Sequence, residues 1–323
     1  MISFWDTLPK PFFALAPLED VTDAAFRRLI ASYGKPAVMF TEFTSADGLV
    51  LADEKGQKRL RKKLLYSEIE RPIVAQLFSA SPEYTRQASM LAKELGFDGI
   101  DINMGCPVKE VVDNLCGAAL INDPPKAREI IRAAQSVGLP VSIKTRLGYD
   151  RDALDEWLPE LLAEHPEAVT IHARTRKEMS DVPARWERIA RAVKIRDECQ
   201  GDTLTHTLVV GNGDVKDIAD AREKVAQTKC DGVMLGRAIY GNPWLFAGRP
   251  TPPTPQERMA ALIEHLQLFD ELLSGNTHYA VMKKHFKAYI SGWDGAKELR
   301  VKLMGTDTIV ETMHLLTDAK IRP

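Results

Sequence analysis

The chain has 323 residues, a formal net charge of −2 and four cysteines. That length suits one large domain plus a small one, and no run of about 18 apolar residues exists to cross a bilayer. Four scattered cysteines without a C-x-x-C pair exclude a disulfide framework and a zinc ribbon, and residues 1–10 lack the pattern of a signal peptide, so a cytoplasmic location is expected.

Short apolar runs alternate with helical patterns along the chain. Strands are expected at Phe12–Ala16, Ala37–Glu42, Pro72–Phe78, Gly99–Asn103, Val141–Thr145, Ala168–His172, Thr207–Gly211 and Gly232–Leu235. Helices are expected at Asp23–Ser32, Asp47–Leu65, Pro82–Leu95, Pro124–Val137, Asp152–Glu164, Pro183–Cys199 and Val215–Ala226. Proline suits the first helical turn, so Ser81-Pro82 and Asp123-Pro124 read as helix starts. Strict strand–helix alternation implies a parallel sheet, and eight such units match the size of a (β/α)8 TIM barrel. A doubly wound open sheet would carry a Gly-rich turn after its first strand; Ala16-Pro17-Leu18-Glu19-Asp20 has no glycine. Gly248–Pro255 then holds four prolines and reads as a stiff linker. Beyond it come helical patterns at Glu257–Ser274, His278–Ser291, Ala296–Leu303 and Asp307–Thr317. This bundle is near the lower size limit for independent folding and is expected to pack on the barrel. The expected division is 1–248 barrel, 249–256 linker and 257–323 helical domain.

A barrel of this kind places its active site at the C-terminal ends of its strands. The polar residues falling there are Thr41-Glu42, Gln76, Asp101 with Asn103, Lys144 with Arg146, His172 with Arg174, Asn212-Gly213-Asp214 and Arg237. Buried charge is costly without a partner. A few of these could close the barrel end by pairing, Glu42 with Lys144 for example, but a large bound ligand explains the whole ring better. Gly211–Asp214, read as opening a helix, and Gly236-Arg237 follow strands seven and eight, where such barrels commonly bind phosphate. A flat, phosphate-bearing cofactor such as FMN fits, with Lys144 at the electron-rich edge of the isoalloxazine and Gln76 at its pyrimidine end. No His/Asp/Glu cluster at metal-ligand spacing occurs, so no metal is expected. Cys106, between Gly105 and Pro107 beyond strand four, overlies the barrel mouth; as a thiol it could be a nucleophile or a general acid. The basic run Lys55, Lys58, Arg59, Arg61, Lys62, Lys63 is equally a solvated helix face or a phosphate-contacting patch.

Taken in order, several segments resemble the tRNA-dihydrouridine synthase family, bacterial type. They are Ala16-Pro17-Leu18-Glu19-Asp-Val-Thr-Asp23 with Phe26-Arg27, Thr41-Glu42-Phe43, Val74–Phe78, Asp98–Pro107 and Gly117–Leu120. Ser142–Arg146, Thr170–Arg176, Gly211–Asp214 and Gly232–Arg237 continue the match, and Lys283-Lys284-His285 with Tyr289 and Leu299-Arg300 extend it into the helical region. The most specific pair is Asn-x-Gly-Cys-Pro with the downstream His-x-Arg-Thr-Arg. The resemblance implies tightly bound FMN reduced by NADPH, hydride transfer from flavin N5 to C6 of a uridine in tRNA, and a proton from Cys106 to C5. By the same resemblance Ala16, Pro17, Leu18, Gln76, Lys144, His172, Asn212, Gly213, Asp214, Gly236 and Arg237 would hold the flavin. Asn103 and Arg174 would meet the uracil, and Lys283 and Lys284 the tRNA, in a monomer without an obligate protein partner. Two departures stand out: Cys116 before Gly117, expected to be inert rather than disulfide-bonded to Cys106, and a Lys177–Pro183 segment without the glycine and aromatic of many bacterial members. The alternatives are a flavin barrel reducing a small molecule, in the manner of a dihydroorotate dehydrogenase, a non-catalytic RNA-binding barrel, and a metal-dependent aldolase-type barrel.

Overall fold

A computed structural model of the chain describes residues 3–201, 206–249, 251–275 and 277–319. The outermost ends of the expected domains, residues 202–205, Pro250 within the expected linker, and Asn276 lie outside the described residues. The strands are β1 (Phe12–Leu15), β2 (Met39–Phe40), β3 (Thr44–Ser45), β4 (Ile73–Phe78), β5 (Gly99–Met104), β6 (Val141–Arg146), β7 (Ala168–His172), β8 (Leu208–Asn212) and β9 (Gly232–Leu235). Neighbours run in the order β1-β9-β8-β7-β6-β5-β4-β2, with β3 beside β4, and every pairing is parallel. The ring closes between its first and second strands: Ala37 N donates to Phe13 O at 2.9 Å and Leu15 N to Val38 O at 3.3 Å. The fold is the expected (β/α)8 barrel.

Helices α1 (Ala24–Gly34), α2 (Ala46–Leu51), α3 (Glu54–Lys63), α4 (Pro82–Glu94), α5 (Lys109–Asp113), α6 (Pro124–Gln135), α7 (Leu154–Leu162), α8 (Trp186–Gln200) and α9 (Ile218–Thr228) lie between strands. Their starts follow capping chemistry: the side chains of Ser81, Asp123 and Asp217 accept from Tyr84, Lys126 and Asp220 backbone N–H groups. The expected helix Asp47–Leu65 is broken in two, because Asp53 accepts from Gly56 N and starts a new helix directly after α2. The second strand is also shorter than expected. Thr41 turns its hydroxyl to accept from Gln76 N at 3.0 Å, and pairing resumes only at β3.

Two apolar layers result. Phe12, Phe40, Val74, Leu208, Val210 and Met234 fill the barrel interior around Trp5, which packs edge-on against Phe12. A larger layer lies between strands and helices; in it Trp157 of α7 is buried while its indole N–H donates to Thr145 Oγ1 at 3.0 Å, and burying such a side chain contributes roughly 2–3 kcal/mol. Arg27 of α1 is fully buried against Glu70, with Thr22 O and Leu65 O accepting its remaining forks. It is a buried charge with all its partners present.

Beyond the barrel lie α10 (Pro255–Leu273), α11 (Lys283–Tyr289), α12 (Ala296–Met304) and α13 (Ile309–Asp318). Pro255 and Gln256, expected in the linker, already belong to α10, capped by Thr254. This region packs on the barrel as expected. Phe26 of α1 stacks on His265 of α10 with ring centroids 4.8 Å apart, and Tyr33 donates to Glu264 at 2.8 Å. Backbone also meets backbone there: a methyl on Gly241 would lie 2.4 Å from Ala288 C of α11, and within residues 1–248 one on Gly34 would lie 2.5 Å from Ala247 N.

The seam buries a histidine pair. His265 and His285 sit with ring centroids 4.7 Å apart, and Nε2 of His265 and both nitrogens of His285 lack partners among the described residues. Burial holds His265 well below the usual histidine range and pushes His285 down to about 3. Both are neutral in the fold, whereas the unfolded chain takes up protons near pH ~6.5. Their contribution to stability is therefore complete above that value and is lost as pH falls toward the folded pKa. Each histidine should steepen the loss of unfolding free energy by about 1.4 kcal/mol per pH unit. In urea unfolding between roughly pH 5 and 7, His285→Phe should remove one histidine's share of that slope.

Candidate active site

Side chains alternate along a strand, so residues two apart share a face. That rule sends Asp101 and Asn103 of β5, and Ser142, Lys144 and Arg146 of β6, to the same side. At the C-terminal ends of the strands a cavity of about 330 Å³ opens. Its lining includes every barrel residue assigned above to flavin, uracil or proton donation: Ala16, Pro17 and Leu18; Gln76; Asn103 and Cys106; Lys144; His172 and Arg174; Asn212, Gly213 and Asp214; Gly236 and Arg237, whereas Thr41, Glu42 and Asp101, also expected at the strand ends, are not in it. Lys283 and Lys284 are not in that lining. Lys284 reaches the rim, donating to Asp20 Oδ2 at 2.8 Å. Lys283 instead donates to Met304 O at 3.0 Å within the helical region.

The cavity is cationic. Lys144, Arg146, Arg174 and Arg237 all line it. One carboxylate, Asp214, serves two of them: its Oδ2 accepts from Arg174, and its Oδ1 accepts from Arg237 Nη2 at 2.7 Å. Asp214 thus organises arginines rather than presenting a free acceptor. Burial and the neighbouring Arg146 push Lys144 down to about 8. Burial, then Arg146, Lys144, Arg174 and Arg237, push His172 down to about 2. His172 is neutral and lies 3.1 Å from Arg174 Nη1 through its Nε2.

Local backbone explains the loop after β8. Gly213 has φ 124° and Asp214 φ 51°, a left-handed stretch that glycine tolerates best. The expected helix start at Gly211–Asp214 is not observed. The chain bends there, and α9 begins only at Ile218, capped by Asp217. Trp186 Nε1 donates to Gly213 O at 2.9 Å, and Asn212 Nδ2 donates to Met234 O at 2.8 Å, pinning both sides of the bend.

The Cys106 loop is held from two sides. Asn103 Oδ1 accepts from Gly105 N at 3.1 Å and Cys106 N at 2.9 Å. Arg146 donates to Gly105 O at 2.8 Å and to Thr175 O and Met179 O at 3.0 and 3.1 Å, tying this loop to the one after β7. Cys106 is buried beside Val111 and Cys116, against Phe43 and Phe78. Burial raises its pKa above the ordinary thiol value, with Lys144 and Arg146 opposing. All four cysteines are free, so no bond joins Cys106 to Cys116.

Three findings escaped the sequence reading. Arg146 has a structural role that the two-residue spacing from Lys144 could have signalled. The suggested Glu42–Lys144 pair does not form: Glu42 accepts from Asp20 N at 2.7 Å, and burial, with Asp23 nearby, pushes it up to about 7. Glu42 also joins Glu19 and Asp20 in a carboxylate group whose ligand atoms lie within 4.8 Å, a cluster that no sequence spacing shows. Lys63 pairs with Glu19 and Lys284 with Asp20. Among the described residues, no helix is long and apolar enough to cross a membrane.

A sequence profile described as "Dihydrouridine synthase (Dus)" matches residues 14–321. The chain belongs to the dihydrouridine synthase family. A Bacillus subtilis (strain 168) relative, "Probable tRNA-dihydrouridine synthase 2", is 43% identical over 318 residues, 98% of this chain and 96% of the relative. A Staphylococcus epidermidis relative, "Probable tRNA-dihydrouridine synthase", is 41% identical over 322 residues, 99% of this chain and 97% of its own length. Among solved structures, a morphinone reductase variant in complex with tetrahydroNAD superposes with TM-score 0.53 at 14% identity, covering 78% of this chain and 91% of that one. Histamine dehydrogenase from Rhizobium sp. 4-9 superposes with TM-score 0.52 at 15% identity, covering 79% of this chain and 48% of that one. At such identities these two show the barrel fold alone.

The bend at Gly213 leaves no room for a side chain, since a methyl there would lie 2.9 Å from Ala184 Cβ. With φ at 124°, Gly213→Ala should destabilise the fold by roughly 1–3 kcal/mol, read as a lowered urea midpoint.

Proposed function

We propose that this chain is a tRNA-dihydrouridine synthase that uses FMN, is reduced by NADPH, and saturates the C5–C6 bond of a uridine in tRNA. The observation that carries the reading is a buried thiol, Cys106, lining the same cavity as four cationic side chains. The relatives' names supply the substrate. The residues present fit a flavin mononucleotide: the cations suit an anionic ligand, and Gly236 leaves ordinary van der Waals space beside Ala16 and Leu18.

In this reading Arg237 takes the phosphate beside Asn212, Gly213 and Gly236, while Ala16, Pro17 and Leu18 border the ring system. Lys144 faces the electron-rich edge of the ring, Gln76 its pyrimidine end, and neutral His172 accepts or donates without adding charge. A flavin held by these residues would supply the hydride that C6 of the uracil receives. Cys106 gives its proton to C5 from the opposite face. Burial favours the protonated thiol at neutral pH, the form a general acid needs. Asn103 meets the uracil edge with Arg174 nearby, and Lys284 at the rim contacts the RNA backbone. Lys283, tied within the helical region, contributes from that side. Residues 1–248 form the catalytic domain, 249–254 the connection and, from the start of α10, 255–323 the tRNA-binding domain of a cytoplasmic monomer.

A uracil must leave its stack to reach such a cavity. Shape and backbone contacts suit RNA recognition by the rim lysines and by α3, a helix with no buried residue.

Cys106→Ala should retain the yellow flavin band and tRNA binding but lose about a hundredfold or more of dihydrouridine formation, measured on purified tRNA. Unchanged turnover would overturn the acid role. Arg237→Ala should weaken FMN retention about tenfold, read by fluorescence of released flavin; full occupancy would overturn the phosphate assignment. Affinity for tRNA should fall steeply with salt, whereas an enzyme for a small substrate would show no tRNA affinity.

A further inference from the structure

Beneath the cavity runs a line of hydrogen bonds that no role above requires. Cys106 N and Gly105 N donate to Asn103 Oδ1. Asn103 Nδ2 donates to Gln76 Oε1 at 3.1 Å, and Gln76 Nε2 donates to Asp101 Oδ2 at 2.7 Å. Ser142 Oγ donates to Asp101 Oδ1 at 2.6 Å. Asp101, Gln76 and Ser142 are fully buried, and Asn103 nearly so.

An amide side chain can face either way, and its two orientations exchange donor for acceptor. Here the direction is fixed from both ends. Two backbone N–H groups demand an oxygen from Asn103, which turns its nitrogen toward Gln76 and calls for Oε1 there. That places Nε2 of Gln76 against Asp101, where a carboxylate demands a donor. The two ends agree on one arrangement, and reversing either amide would oppose donor to donor or acceptor to acceptor in a buried place. Such mismatches leave both groups desolvated with no partner in return.

We infer that Asp101 is a positioning residue: as the terminal acceptor it sets the direction of the Gln76 and Asn103 amides, and through them the pose of the Cys106 loop. The inference deepens the proposed function and rests on it for the identity of the ligands. Asn103 Oδ1 already accepts two protein donors and Gln76 Oε1 one, and the hydrogens left to face the cavity are one on Asn103 and one on Gln76. The site therefore offers donors at this floor and suits accepting ligand atoms, such as the carbonyl oxygens of a uracil or of a flavin's pyrimidine end. Burial pushes Asp101 up to about 6, while the hydrogen bonds from Ser142 and Gln76 and the charge of Lys144 favour the carboxylate form that the arrangement uses at neutral pH.

Two substitutions separate direction from packing. In Asp101→Asn the amide oxygen can still accept from Gln76 and its nitrogen can donate to Ser142 Oγ, so the direction survives. In Asp101→Leu no acceptor remains, and Gln76 is free to turn over. The readout is iodoacetamide alkylation of the full chain, resolved by peptide mass, with and without added FMN. Exposed Cys199 reports reagent activity, and buried Cys230, remote from the line, reports general loosening.

Cys106 in Asp101→Leu should react about fivefold faster or more than in the parent chain, with Cys230 unchanged. Asp101→Asn should match the parent and, unlike Asp101→Leu, should retain dihydrouridine formation. Three results would overturn the inference: parent-like Cys106 reactivity in Asp101→Leu, equal acceleration in both variants, or Cys230 rising in step with Cys106. Because thiol reactivity is read without FMN as well, a parent chain that fails to bind FMN would count against the proposed function and leave this outcome legible.

Discussion

Four positive side chains share one small mouth, and most of the site's geometry answers to that repulsion. In a partly desolvated space like charges interact strongly, so each cation needs its own compensation. Asp214 divides itself between Arg174 and Arg237. Arg146 spends its donors on three main-chain carbonyls. Burial, and after it the field of the neighbouring cations, depress the proton affinity of Lys144 and His172. An anion entering this mouth relieves a cost already present in the fold, and electrostatics of this kind is preorganised before the ligand arrives. Lys144 and Arg146 oppose, without overturning, the burial that raises the Cys106 thiol, so its acidity is a balance between desolvation and nearby charge.

Much of this could be read from the chain alone, for physical reasons that differ by element. Fully buried parallel strands are continuous apolar runs, so Val141–Thr145 and Ala168–His172 stand out between helical patterns. Proline after serine or aspartate marks α4 and α6 because the missing N–H costs nothing in a first turn. The site followed from topology: once eight strands are in order, polar residues at their ends must converge. What stayed hidden depends on contacts between distant segments. Glu42 finds Asp20 and Glu19 across two loops, and only the closed ring brings them together. The break between α2 and α3 turns on one capping aspartate inside an otherwise helical run. The direction of the Asn103 and Gln76 amides depends on partners from three strands, and amino-acid order carries no trace of it. His265 and His285 gave no signal either, being ordinary polar letters until the seam buries them.

The histidine pair makes the seam between barrel and helices different from the barrel's own core. Inside the barrel, polar groups such as Arg27 and Asp101 have their full complement of partners. At the seam, three of the pair's four ring nitrogens lack partners among the described residues, while Phe26 stacks on His265 and meets His285 edge-on. The seam is accordingly where acid would act first.

Gly241, set against the backbone of Ala288 in α11, fixes the distance across that seam by main chain rather than by side chain. Close backbone approach is indifferent to which residues decorate the helices' outer faces. Val301, Met304 and Val310 lie exposed on those faces. Sequence drift can therefore rewrite the outward surface of α12 and α13 while the angle at which they meet the barrel stays as it is. Such a scaffold separates the outward surface of the helices from the spacing between them and the barrel, so the one can change without altering the other.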